Sequence, residues 1–105
     1  MNQARKLVLE VLNGPLDGAV ITLTAAAEWT AAGIGPLAFP WDGELGKPQA
    51  RLAVDEQGWS LKGVRSPHGT YRINREERIT TGTLQLARGD IIKGGNTWLL
   101  VQQAE

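Results

Sequence analysis

Glycine and proline cut this chain into pieces that suit strands and turns rather than long helices. Thirteen glycines and five prolines fall within 105 residues, and no segment keeps an amphipathic helical period over about ten residues. The pieces between the breaks alternate instead. Ala50-Arg51-Leu52-Ala53-Val54-Asp55 sets apolar residues among charged ones, Gln57-Gly58 turns the chain, and Trp59-Ser60-Leu61-Lys62-Gly63-Val64 alternates again. Such a segment turns one side to a core and the other to water. Lys6 to Leu12 reads as a strand stopped by Asn13-Gly14-Pro15, and after Asp17-Gly18 the stretch Ala19 to Leu23 reads as its hairpin partner. Tyr71-Arg72-Ile73-Asn74 and Arg78-Ile79 flank a tight connection. Leu84-Gln85-Leu86 alternates, Arg88-Gly89-Asp90 turns, and Ile91-Ile92 with Thr97 to Val101 close the chain around Gly94-Gly95-Asn96. Two segments are less defined. Ala25 to Ala32 suits one turn of helix or a short strand around Trp29, and Leu37 to Trp41 is an apolar piece that Pro40 confines to a sheet edge or strand end. About ten to eleven short strands at hairpin spacing predict an all-β chain, a β-sandwich or barrel, with residues 1–105 forming one domain.

Composition narrows the chemistry. Hydrophobic residues at 42% and charged residues at 21% belong to a globular chain and not to a disordered one. A formal net charge of zero excludes binding to nucleic acid or a membrane surface by bulk electrostatics. The charges are unevenly spread: from Lys47 to Lys93 nine basic residues face five acidic ones, and the remainder has the matching acidic excess. With no cysteine, disulfides, thiolate zinc sites and thiol nucleophiles are out. Met1-Asn2-Gln3-Ala4-Arg5-Lys6 leads into an apolar stretch that ends at Glu10, so no signal peptide or bilayer-crossing run is read, and a soluble, cytoplasmic protein is expected.

No catalytic constellation emerges. His68 is the one histidine, with neither a nucleophile motif nor a second metal-ligating histidine beside it, so a solvated loop residue is expected and no enzyme, metal or cofactor. Asp55-Glu56 and Glu76-Glu77 read as solubilising turn residues. Trp29, Trp41, Trp59 and Trp98 read as core or sandwich-rim packing. Arg72, Arg75 and Arg78 form only a weak basic patch, because Glu76 and Glu77 are interleaved. Gly94-Gly95 lacks the lysine and the strand-to-helix setting of a phosphate loop.

A family resemblance runs along nearly the whole chain. Ser66-Pro67-His68-Gly69-Thr70-Tyr71-Arg72-Ile73-Asn74 resembles the forkhead-associated (FHA) signature Ser-any-Asn-Gly-Thr followed shortly by Asn. Leu86-Ala87-Arg88-Gly89-Asp90-Ile91-Ile92 is similar to its Leu-any-any-Gly-Asp before a strand, and Gly95-Asn96-Thr97-Trp98-Leu99 to its last hairpin. Ala50-Arg51-Leu52 and Gly58-Trp59-Ser60-Leu61 resemble the strand pair after the family's Ser-Arg-any-His motif. Leu12 to Leu23 matches the opening hairpin, and Gly33-Ile34-Gly35 sits where the Gly-Arg pair falls. The resemblance implies a two-sheet, FHA/SMAD-like β-sandwich in which Gly35, Gly69, Asn74, Gly89 and Asp90 shape turns.

The resemblance also implies a phosphothreonine reader in which an arginine and a serine hold the phosphate and an asparagine holds the peptide backbone. Here those positions fall on Pro36, near Gly46 and on His68, and no Arg or Lys lies between Lys6 and Lys47. A phosphate dianion calls for a guanidinium fork and hydroxyl or amide donors. Proline supplies neither charge nor donor. The leading expectation is therefore a protein–protein interaction module that does not read phosphothreonine in the usual way, with a role in an assembly or homo-oligomer implied by degenerate members of the family. The alternative is an altered phosphothreonine-peptide site acting in Ser/Thr kinase signalling. In it Lys47, Ser66 and His68 stand in, Arg51 and Arg65 assist, and Thr70 offers a hydroxyl, although Gly69 and Thr70 read first as residues that shape the turn.

Overall fold

A computed structural model describes residues 5–66 and 69–105. Ten strands build two sheets: β1 (Leu7–Val11), β2 (Val20–Leu23), β3 (Ala27–Trp29), β4 (Ala50–Asp55), β5 (Gly58–Gly63), β6 (Thr70–Arg72), β7 (Glu77–Ile79), β8 (Thr83–Gln85), β9 (Ile91–Gly94) and β10 (Thr97–Ala104). One turn of 3-10 helix, Ile73–Arg75, is the helical element among the described residues. The first sheet runs β2-β1-β10-β9-β6-β7 and the second β3-β4-β5-β8, all paired antiparallel. The all-β expectation and the two-sheet sandwich hold.

The alternation read in the sequence is the alternation that packs. Leu7, Leu9 and Val11 of β1, Leu52 of β4, Trp59 and Leu61 of β5, and Leu99 and Val101 of β10 all enter one buried cluster. Trp29 and Trp59 are its largest members. Their indole N–H groups find no acceptor among the described residues, a cost of about 1–3 kcal/mol each. Burying some 150–250 Å² of ring at about 25 cal/mol/Å² returns about 4–6 kcal/mol, so packing wins.

The open segment around Trp29 is settled as strand. Ala27, Glu28 and Trp29 pair with Leu52, Arg51 and Ala50, which satisfies the backbone while Trp29 drops into the core. Leu37 to Trp41 departs from the edge-strand expectation. It forms one isolated bridge, Thr30 to Ala38, and acts as an apolar plug, with Leu37 and Phe39 in the core cluster. Trp41 is the tryptophan that stays exposed, with its ring 4.7 Å from that of Phe39.

Register assigns every connection to an end. Thr97, Gly94, Thr70 and Ile79 share one rung of the first sheet, and Trp29, Ala50 and Gly63 share one in the second. The β1–β2, β3–β4, β5–β6, β7–β8 and β9–β10 connections therefore gather at one end, called here the loop end. Among the described residues no helix is long and apolar enough to cross a membrane.

Candidate functional site

A buried glutamine organises the loop end. Gln49, 1% exposed just before β4, accepts a hydrogen bond from the Gly46 N–H through Oε1 at 2.8 Å. That donor fixes which end of the amide is oxygen. Nε2 then faces the Gly69 carbonyl at 2.8 Å, Thr70 Oγ1 at 2.9 Å and Ser66 Oγ at 3.1 Å. The Gln49 main chain also donates to Trp29 O and accepts from Val64 N–H. One residue thus ties the β3–β4 loop to the β5–β6 loop.

Small residues make that closeness possible. A Cβ on Gly46 would lie 2.8 Å from Pro48 O and 3.0 Å from Ser66 Cβ. The β9–β10 hairpin docks against the same loops. Asp42, 2% exposed, accepts from Asn96 N–H and Thr97 Oγ1 through Oδ2, and from Glu44 N–H through Oδ1. Asn13 bridges the first hairpin to Asn96 O and Trp98 N–H. The loop end is a cross-braced platform. Neither Gln49 nor Asp42 stood out in the sequence; a polar residue between breakers reads as a solvated loop, and only the contacts show it buried.

The expected site residues divide between the two ends and a sheet face. Lys47 and Arg65 are exposed at the loop end, on loops that touch through Gly46 and Ser66, and neither has an ion-pair or hydrogen-bond partner among the described residues. Ser66 is half-buried, with its oxygen accepting from Gln49. Thr70 is 1% exposed. This corrects its reading as an offered hydroxyl, because the side chain is held inside by Gln49. Gly69, at φ +75°, abuts Ile79 O and the Arg78 guanidinium. His68 lies outside the described residues. Arg51 is on the outer face of the second sheet between Glu28 and Lys62, away from the touching loops. Gly35 accepts from Ala38 N–H in the exposed 31–36 loop.

Asn74, Gly89 and Asp90 belong to the opposite end. Asp90, 2% exposed, accepts from Arg72 Nη1 at 3.1 Å, Asn74 Nδ2 at 3.0 Å and Ala87 N–H at 3.0 Å. Asn74 Oδ1 accepts from Ile91 N–H, and Gly89 turns at φ +93°. Arg72 also pairs with Glu77 and donates to Gln85 O. This corrects two surface readings: Arg72 is 6% exposed and no part of a basic patch, and Glu77 is its partner and not a solubilising residue. Burial pushes the Asp90 carboxyl up, but the bonds from Asn74, Ala87 and Arg72 and the Arg72 charge outweigh it and hold the group below 3.8. Burial likewise works against the Arg72 charge, and the bonds and charges of Glu77 and Asp90 overcome it. Among the described residues no group of three or more His, Asp or Glu is placed to hold a metal ion.

The remaining element of the loop end is residues 31–36. Ile34 is fully exposed, with relative exposure of 105%, between Gly33 at φ +78° and Gly35. With Pro36 it lines an open groove of about 490 Å³, together with Thr22, Ala25 and Ala27.

No protein-family model matches the chain, and no curated protein matches it by sequence. Solved structures do. An FHA domain of Arabidopsis thaliana superposes with a TM-score of 0.80 at 23% identity, over 93% of this chain and 85% of that one. The chain has the FHA fold. An FHA domain described for its phosphothreonine-dependent interactions gives 0.77 at 21% identity, over 93% and 96% of the two chains. The FhaA FHA domain, in complex with the intracellular domain of another protein, gives 0.75 at 22% identity over 90% and 98%. The 31–36 segment of this chain carries no charge.

Proposed function

We propose that this chain is a protein–protein interaction module: one domain on the FHA scaffold, docking a partner polypeptide at the loop end and not reading phosphothreonine in the usual way. The observation that carries this is the 31–36 loop. The resemblance places the arginine position at Pro36, two residues beyond a bare isoleucine that projects between two glycines, and no cation occurs from Leu7 to Gly46. An apolar knob favours a dry pocket on a partner over a hydrated dianion. The platform beneath is braced by Gln49 and Asp42, so little ordering entropy opposes docking. Phosphothreonine-dependent interactions in one FHA structure, and the partner domain bound to another, support a protein partner. The module is proposed as non-enzymatic and cytoplasmic.

A second reading is favoured by Lys47 and Arg65, two exposed cations on loops that touch through Gly46 and Ser66. They would meet a phosphorylated partner with His68, through point charges more than a fork. One titration separates the two readings. A phosphothreonine-peptide library and its unphosphorylated twins are measured by fluorescence anisotropy against the intact chain. The expected result is no preference for phosphate beyond about twofold, an energy difference of about 0.4 kcal/mol. Saturable, phosphate-dependent binding that disappears in Lys47→Ala overturns it and installs the second reading.

A further inference from the structure

The outer face of the six-stranded sheet carries a row of aromatic and cationic side chains that the loop-end reading does not use. Thr70 and Arg72 turn inward on β6, so Tyr71 between them stands on the outer face. Register sets Lys93 of β9 beside it on one side and Arg78 of β7 on the other. Both cations lie 5.7 Å from the Tyr71 ring centroid, within cation–π range. Beyond Lys93 the same rung continues to Trp98 of β10, which is half-buried. The rung reads Trp98, Lys93, Tyr71, Arg78 across four neighbouring strands. Ile91 and Leu100, paired with each other and partly exposed, extend its apolar part.

The charge on this face is one-sided. Among the outward residues of β6, β7, β9 and β10 there are two cations and no acid. The acid on the outer side of β1, Glu10, is already hydrogen-bonded to Gln102. Lys93 and Arg78 sit two strand spacings apart, about 10 Å, close to the roughly 9 Å between residues i and i+3 of an extended polyproline-type segment.

We propose that this face docks an acidic polypeptide segment. Its carboxylates, three residues apart, pair with Lys93 and Arg78, and its apolar groups lie on Tyr71 and Trp98. Tyrosine, tryptophan and arginine are the residues that protein interfaces concentrate, and cations already drawn to a ring lose less freedom on binding. Nucleic acid fits less well, because two cations on a chain of zero net charge neutralise too few phosphates. The surface goes beyond the loop-end function and does not include Lys47 or Ser66, although Arg78 reaches Gly69 at its border.

The test is a titration of the ¹⁵N-labelled chain with a polyglutamate peptide, with a length-matched polyglutamine peptide and oligothymidylate in parallel. Saturating shifts are expected at the Tyr71, Arg78 and Lys93 amides and the Trp98 indole with polyglutamate, and none with polyglutamine. Lys93→Glu weakens binding by about tenfold, which is about 1.4 kcal/mol, with the spectrum's dispersion reporting that the variant is folded. If that variant unfolds, Lys93→Gln, which deletes the charge without reversing it, weakens binding by about threefold. The absence of saturable shifts, shifts centred on Lys47 and Ser66, or binding of oligothymidylate as tight as polyglutamate each overturns the proposal.

Discussion

Gln49 shows how one side chain sets the geometry of the loop end. Its amide holds Gly46 on one loop and Ser66, Gly69 and Thr70 on the other. Removing it strands a buried N–H and a buried carbonyl, and each unsatisfied group costs about 1–3 kcal/mol. Gln49→Ala should therefore lose roughly 2–4 kcal/mol in urea denaturation. A loss under about 0.5 kcal/mol would show that the loops hold themselves. The motif residues Ser66, Gly69 and Thr70 were legible in the sequence, but the residue that positions them was not. Hydrogen-bond partners 17 to 21 positions away leave no local periodicity to read.

At the scale of elements, the end opposite the loops is locked by an ion pair joining β6, β7 and the turn before β9. Asp90 and Arg72 are buried together with Asn74 and Glu77 as further partners. Breaking a buried pair from one side leaves an uncompensated charge, so Asp90→Asn should cost about 3–5 kcal/mol at neutral pH. The pH dependence has a definite sign. The Asp90 carboxyl is held below 3.8 when folded, so the unfolded chain takes up its proton first. The stabilisation is complete above roughly pH 5 and fades as pH falls through 4 and below. Denaturation midpoints measured from pH 7 to pH 3 should fall in the wild type and fall less in Asp90→Asn. Parallel slopes would remove Asp90 as the acid-sensitive group. The Gly89-Asp90 turn was readable as a turn. Its partnership with Arg72 was not, because strand alternation says that residue 72 points inward only once the face of Tyr71 is known.

For the whole molecule, the two sheets share one cluster of buried side chains, with Leu9 and Val101 from one sheet and Trp29, Leu52 and Trp59 from the other. Neither sheet has a core without its partner, so both should unfold together. Tryptophan fluorescence, which reports Trp29 and Trp59 of the second sheet together with Trp98 of the first and Trp41, and far-UV circular dichroism of all the strands are expected to give one coincident transition in denaturant. Separated transitions would mean two cooperative units in place of the single domain proposed. The whole molecule also decides what the loop end presents. Five connections converge there, and the β3–β4 connection exposes Ile34 fully.

The amino-acid order alone determined the class of fold and most strand limits, because the period of two and the glycine-bearing turns are local properties: β4 falls on residues 50–55 as read. It also determined the lack of any cation from residue 7 to residue 46, which is plain composition. Only the tertiary structure decided that Thr70 is a buried support, that Arg72 is a buried partner and not a surface charge, and that Leu37 to Trp41 plugs the core instead of extending a sheet. It alone aligned Trp98, Lys93, Tyr71 and Arg78 on one rung. The physical reason is common to all of these. Burial, pairing and facing are relations between distant residues, and they come into being only when the two sheets close on each other.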